Sequence, residues 1–403
     1  MSDTTACAIV GGGPAGLFLG LMLARGGVNV TVLEKHADFL RDFRGDTVHP
    51  VTMRLLDELG LFERFDGLPH SVVEKGEFGV EGHLYTMVDF RRLHQPHPYV
   101  AMVPQWDLLD LIADAAQDEP TFTLRLQHEV TGLLRDGDTV TGVRYTSPDG
   151  AGELRADLVV GCDGRTSVVR RDAGLPIHEY PVPFDVWWFR LPGDQSGQFS
   201  LLPRTRPGRA LVMIPREDYF QIAYLIPKGS DAELRALGLE SLHRELAELI
   251  PESSPDAITS WDDVKVLDVR LDRLRRWHGD GVLCIGDAAH AMSPAGGVGI
   301  NLAIADAVAA AGYLAEPLRT GQLTTKQLAA VRRRRILPTV ATQTLQRVLH
   351  QVLLASVLQG RAAARPPAAL LKLLTRFPQL SVIPAYVIGV GLLPQHAPDF
   401  ARR

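Results

Sequence analysis

The chain has 403 residues, room for two or three domains or one large mosaic, and its 46% hydrophobic content supplies an ample core. A formal net charge of −5 is too mild to imply a nucleic-acid surface. Cys7, Cys162 and Cys284 stand singly in apolar runs with no suitably spaced histidine, so they read as buried free thiols of a reducing compartment, and no metal site is expected.

The start, Met-Ser-Asp-Thr-Thr, lacks the basic and apolar segments of a secretory signal. No run reaches the length of a membrane span; residues 382–393 come nearest but are short and contain Pro384, Gly389 and Gly391. A cytoplasmic protein without a transmembrane segment is expected.

Residues 6–10 form a predicted buried strand that runs into Gly11-Gly12-Gly13-Pro14-Ala15-Gly16. In this G-x-G-x-x-G pattern Gly11 permits the tight turn, Gly13 lets backbone approach a pyrophosphate, and Gly16 lets the next helix pack close. That helix, residues 17–25, points free N–H groups and its positive dipole end at the phosphates, and Gly26-Gly27 ends it. A second strand at 28–33 is closed by Glu34 and Lys35, and a carboxylate there suits an adenosine ribose hydroxyl. Strand, glycine turn, helix and strand together predict a dinucleotide site.

Residues 41–50 carry Arg41, Arg44 and His49 before an amphipathic helix at 51–59, stopped by Gly60. The arginines either neutralise diphosphate, reach a nicotinamide cofactor, or form a solvated basic loop. Gln105 precedes a helix at 108–116, where it either bonds a cofactor linker or flanks a cap. A strand at 157–161 turns at Cys162-Asp163-Gly164-Arg165; Asp163 and Gly164 suit a close turn facing diphosphate, and Arg165 and Arg170 add positive charge. The third turn, Gly286-Asp287-Ala288-Ala289-His290, also follows an apolar strand, and His290 reads as a structural part of it. The glycines of Pro294-Ala295-Gly296-Gly297-Val298-Gly299-Ile300-Asn301 let backbone approach an aromatic ring edge, and the N–H groups of a helix starting near Ile300 can stabilise an anion.

Between these motifs lie inserts at 71–100 and 175–269. Alternating runs at 185–191, 210–215 and 219–226 predict a sheet. Its candidate pocket residues are His49, Trp187, Phe189, Arg190, Met213, Tyr219 and Tyr224, of which His49, Arg190, Tyr219 and Tyr224 are the candidates for catalysis. Strand alternation lets only half of the sheet residues face inward, and core packing is the competing explanation for each aromatic. Arg332 to Arg335 open a helical tail over 336–360 and read as a solvated face. Residues 368–376 and 382–393 are strongly apolar, suited to covering a pocket, a homodimer contact or a weak membrane contact.

In the order and spacing of its three motifs, over about residues 6–310, the chain resembles the class A flavoprotein monooxygenases, the p-hydroxybenzoate hydroxylase family. The resemblance implies an α/β protein: a Rossmann-like, glutathione-reductase-like FAD-binding domain (1–70, 101–174 and 270–330), an inserted β-sheet substrate domain (71–100 and 175–269) and a helical C-terminal segment (331–403). It implies that Gly11, Gly13, Pro14, Ala15, Gly16, Glu34, Lys35, Arg44 and Gln105 hold the adenine, diphosphate and ribityl parts of FAD. Asp163 with Gly164 would lie near both FAD and NAD(P)H, Gly286 and Asp287 by the ribityl chain, and Pro294, Gly297, Val298, Gly299, Ile300 and Asn301 along the isoalloxazine. The implied activity is NAD(P)H- and O2-dependent oxygenation of a large aromatic or apolar small molecule through a flavin C4a-hydroperoxide. Two departures stand out: Val298 occupies a turn position where many members carry glutamine, and the C-terminal thioredoxin-like domain of larger members is not expected. Alternatives on the same scaffold are a reductase of a polyprenyl or secondary-metabolite substrate and a GDP-dissociation-inhibitor-like binding protein; the halogenase W-x-W-x-I-P string is absent.

Overall fold

The computed structural model describes residues 3–40, 47–80, 83–193, 202–206, 208–216, 219–251, 253–351, 373 and 375–403. At its centre is the strand Asp3–Val10, whose last four residues are buried. Gly150–Gly161 and Val30–Leu33 pair with it in parallel on its two sides, and Val282–Cys284 and Phe122–Arg125 pair in parallel beyond them. Parallel strands covered on both faces need continuous apolar runs, as Cys7-Ala8-Ile9-Val10 supplies. The hairpin Glu129–Asp136 and Thr139–Ser147 extends the outer half of Gly150–Gly161 in antiparallel pairing.

The register of these strands positions the site. Leu33 pairs with Val10, Val10 with Gly161, and Gly161 with Cys284, so the four strands end in one row. Glu34, Gly11, Cys162 and Ile285 therefore leave the sheet side by side at its carboxyl edge, where open parallel sheets receive ligands. The helix Pro14–Arg25 is buried along nearly its whole length and packs against the helix Gly299–Arg319. A helix apolar all round belongs inside, and this one is covered on both sides.

A second, antiparallel sheet has the order Leu202–Arg206, Arg209–Pro215, Tyr219–Pro227, Phe184–Pro192, Lys265–Leu267. Its outer face, with Trp187, Phe189, Leu191, Met213, Ile222 and Tyr224, packs under the helix Leu239–Leu249 through Leu242, Leu246 and Leu249. Its inner face carries Phe184, Val186, Ala223 and Leu225, with Trp188 packed against them. The hairpin Lys75–Val80 and His83–Asp89 adjoins a small sheet of Ser71–Val73, Val100–Met102 and Thr47–Val48, and these pack on the C-terminal helix Val382–Gly389. No helix among the described residues is long and apolar enough to cross a membrane.

The tail differs from expectation. Its helix is Thr325–Leu349, starting well before residue 336 at a capping box of Thr324 and Gln327. The arginine run thus lies inside the helix rather than opening it, and Arg335 is only 1% exposed. The stripe Arg335, Thr339, Gln343, Gln346, His350 faces inward, while Leu337 and Val348 are 57% and 49% exposed, which reverses the usual polarity of a surface helix. The expected continuation over 352–360 and residues 368–372 fall outside the described residues.

Candidate active site

Gly11 has φ +103°, and a Cβ there would lie 2.6 Å from the Cys162 carbonyl oxygen, so the first and second motifs touch through backbone. A Cβ at Gly16 would lie 2.0 Å from the Gly11 carbonyl oxygen. At Gly13 a Cβ would meet nothing within 4 Å. The first two glycines are demanded by the protein's own packing; the third borders open space at the helix N-terminus, which no side chain caps. Uncapped N–H groups beside an open cradle fit a diphosphate. Gly164 (φ +78°) also borders open space at the second motif. The residues present therefore fit FAD.

Glu34 is 5% exposed; its Oε2 accepts from the Gly12 N–H at 2.9 Å and its Oε1 from the His36 N–H at 3.0 Å. A carboxylate has lone pairs beyond these two bonds, which suits a ribose hydroxyl. Lys35 beside it is exposed, and Gln105 opens the helix Gln105–Gln117, half-buried. Arg44, like Arg41, lies outside the described residues.

Asp163 is turned inward. It accepts from the Ser167 hydroxyl at 2.5 Å and the Val169 N–H at 3.1 Å, closing the start of the helix Val168–Asp172. Burial raises its carboxyl above the ordinary range. The side chain serves the turn, leaving Gly164 to approach a ligand. Asp287, by contrast, is about one-third exposed and meets Arg165 at 3.1 Å, tying the third motif to the second. Arg170 is likewise taken up, by Asp272 at 3.3 Å.

The third motif rests on a cluster that sequence reasoning missed. Asp306 is fully buried; its Oδ2 faces the His290 Nε2 at 2.5 Å and accepts from the Gly286 N–H at 3.1 Å, and its Oδ1 accepts from Arg335 Nε at 2.8 Å. Burial pushes this carboxyl up, but His290 and Arg335 overcome that and hold it below the ordinary carboxylate value. His290 is thus structural, as expected. The signal for Asp306 was a carboxylate inside the otherwise apolar, alanine-rich stretch 302–312 of its helix. One helix onward, Gln346 Nε2 donates to the carbonyls of Ser293 and Ala295 at 2.9 Å each and its Oε1 accepts from the Ser293 N–H at 3.2 Å, pinning the loop that holds Pro294.

Gly297, Val298 and Gly299 are half-buried in that loop, and Gly297 (φ +60°) passes so close to Thr47 that a Cβ would lie 2.3 Å from its hydroxyl. Asn301 is 7% exposed and has no polar atom to spare. Its Oδ1 accepts from the His49 N–H and the Thr52 hydroxyl, and its Nδ2 donates to the Thr47 and Gly297 carbonyls. Expected along the cofactor, its side chain instead clamps this loop to residues 47–52, and Ile300 beside it is buried.

Two catalytic candidates need correction. His49 is 1% exposed, its Nδ1 bonded to the Ile388 carbonyl at 2.8 Å, and burial lowers its pKa to about 4. It is a neutral core histidine. Tyr224 is on the outer face of the second sheet, donating to Glu245 Oε2 at 2.5 Å beside Trp187. Burial first, and Glu245 second, push its phenol far above the ordinary range. Trp187, Phe189 and Met213 share that outer face. Arg190 and Tyr219 alternate onto the inner side, the guanidinium 4.8 Å above the phenol ring. Beside them the nearly buried Arg216 donates to Gln221 Oε1 at 2.9 Å, a polar pair the sequence reading passed over.

Known proteins bear directly on this arrangement. The family described as FAD binding domain matches residues 3–347. The chain belongs to that family, as a class A FAD-dependent, aromatic-hydroxylase-like monooxygenase. It is 35% identical to a 6-methylpretetramide 4-monooxygenase of Streptomyces rimosus over 92% of this chain and 89% of the relative. It is 32% identical to the 12-dehydrotetracycline 5-monooxygenase/anhydrotetracycline 6-monooxygenase of Streptomyces rimosus subsp. rimosus, covering 74% of this chain but only 60% of that longer relative. Among solved structures, PqsL of Pseudomonas aeruginosa, described as a probable FAD-dependent monooxygenase, superposes with a TM-score of 0.73 at 25% identity, covering 88% of this chain and 97% of that one. The protein is a flavoprotein monooxygenase that uses NAD(P)H as co-substrate. The comparisons do not favour the reductase or the flavin-free binding protein.

Proposed function

We propose that this monooxygenase hydroxylates a fused-ring, oxygen-rich aromatic substrate held between the loop of residues 293–301 and the inner face of the second sheet. The supporting observation is the likeness, along nearly the full length of both chains, to a 6-methylpretetramide 4-monooxygenase. On this reading the parallel sheet with its turns (1–70, 101–174 and 270–330) is a Rossmann-like FAD-binding domain. Residues 71–100 and 175–269 form the substrate domain, and 331–403 the helical cover.

FAD, when bound, supplies the redox chemistry by taking electrons from NAD(P)H and activating O2. The chain's own residues do the rest. Gly11, Gly13, Pro14, Ala15 and Gly16 receive the diphosphate, and Glu34 with Lys35 the ribose side. Arg44, Gln105, Gly164, Gly286 and Asp287 complete the cofactor's surroundings. Pro294 and Gly297 to Asn301 shape the ring-binding loop with their backbone. The buried inner face excludes water, and Arg190 over Tyr219 orients an electron-rich or anionic ring oxygen. Dependence on NAD(P)H and buried thiols at Cys7 and Cys284 fit a cytoplasmic enzyme.

The test is an absorption spectrum of the purified protein followed by anaerobic NADPH or NADH. Flavin bands that bleach and return with air, with O2 uptake raised by a fused-ring phenol, are expected. Gly13→Val, whose side chain fills the cradle, is expected to purify without flavin. A fully yellow Gly13→Val protein would show that the diphosphate sits elsewhere.

A further inference from the structure

Two buried polar atoms beside the inner face of the second sheet have no hydrogen-bond partner among the described residues. One is Nε1 of Trp188; the other is Nδ1 of His350. Trp188 packs against the cluster of Phe184, Val186, Ala223 and Leu225. His350 is 2% exposed, and its ring stands edge-on to Phe184 of that cluster at 5.0 Å. Its other nitrogen, Nε2, lies 2.9 Å from the Ser293 hydroxyl, in the loop that Gln346 pins in place. The two atoms thus border the same apolar surface, and His350 joins that surface to the ring-binding loop.

Leaving a buried polar group unpaired costs stability, and folded proteins rarely tolerate it without a reason. Gln343 and Gln346, the polar side chains two turns and one turn before it, are fully engaged, whereas His350 keeps one ring nitrogen unpaired beside the inner face. An indole N–H only donates, so its complement is an acceptor oxygen. A neutral imidazole nitrogen accepts or donates according to its tautomer, so it matches a hydroxyl or a carbonyl.

We propose that Trp188 Nε1 and His350 Nδ1 are substrate-positioning groups that hydrogen-bond two oxygens of the aromatic substrate, Trp188 meeting a carbonyl or phenolate oxygen and His350 a hydroxyl or carbonyl. This rests on the substrate location proposed above and deepens it. The site selects ring systems with separated oxygen substituents over hydrocarbons of the same size.

The probe is anhydrotetracycline, titrated into the oxidised, FAD-loaded enzyme and read by perturbation of the flavin absorbance. Trp188→Phe keeps an aromatic ring and loses the donor. His350→Gln keeps a polar group near Nε2 and loses the one at Nδ1; His350→Asn does the reverse. Trp188→Phe and His350→Gln are expected to weaken binding by roughly tenfold or more, with His350→Asn closer to wild type, while flavin content is retained and thermal stability is unchanged or higher. Equal affinity in wild type, Trp188→Phe and His350→Gln overturns the proposal, as does the opposite order of the His350 variants, which would leave that residue only its bond to Ser293. A wild-type enzyme whose flavin does not respond to the probe rejects the proposed substrate class, and this inference with it.

Discussion

His49 shows how burial alone sets a residue's chemistry. Removed from water and held by the Ile388 carbonyl, it drops from 6.5 to about 4, so it is neutral at physiological pH. The unfolded chain takes up the proton first as pH falls. The stability tied to a neutral His49 is therefore complete above pH 6.5 and is lost progressively down to about 4, amounting to ~3 kcal/mol. Urea unfolding at pH 7.5 and 4.5 should show that loss in the wild type and a shallower pH dependence in His49→Asn. Identical slopes would place His49 in water. Asp163 teaches the same caution. Its place in a turn after a strand was legible, but the bonds of its carboxylate to the Ser167 hydroxyl and the Val169 N–H were not.

The element that matters most for the third motif is the helix Thr325–Leu349. Its Arg335 reaches Asp306, and Asp306 fixes both His290 and the Gly286 N–H. Truncating one partner of a buried charge pair strands the other in a low-dielectric site. Arg335→Met is thus expected to cost about 3–5 kcal/mol of unfolding free energy, whereas exposed Arg333→Ala on the same helix should change it by less than ~0.5 kcal/mol. Chemical denaturation of both variants checks this; a mild Arg335→Met would mean that the pair is solvated. The arginine run looked uniform because four adjacent residues sweep all sides of a helix. Which one faces inward depends on the surface the helix packs against, and buried Asp306 on the helix Gly299–Arg319 selects Arg335.

At the scale of the molecule, three turns far apart in the chain meet at one sheet edge, and a long helix from beyond the last of them locks it. A ligand touching all three binds only the folded state, so FAD raises stability by mass action, about 2.7 kcal/mol at a hundredfold excess over its dissociation constant. Removal of the flavin should lower the melting temperature, and added FAD should restore it in a concentration-dependent way. An apoprotein that melts like the holoprotein would mean that the turns do not converge on the cofactor.

The strand-turn segments and their glycines were readable from the chain alone, since backbone demands such as those at Gly11 and Gly16 are local and parallel strands announce themselves as apolar runs. So were the second sheet and the structural place of His290. The inward face of that sheet was not. Tyr224 and Arg190 both sit in alternating strands, and only the helix Leu239–Leu249 covering one side decides which of them is turned away from the first sheet. Nor was the inward polar stripe from Arg335 to His350, because its partners Asp306, Asp272 and Ser293 lie 29 to 71 residues away in sequence. Local periodicity reports what a segment prefers by itself; which of its faces is buried depends on the surface that packs against it.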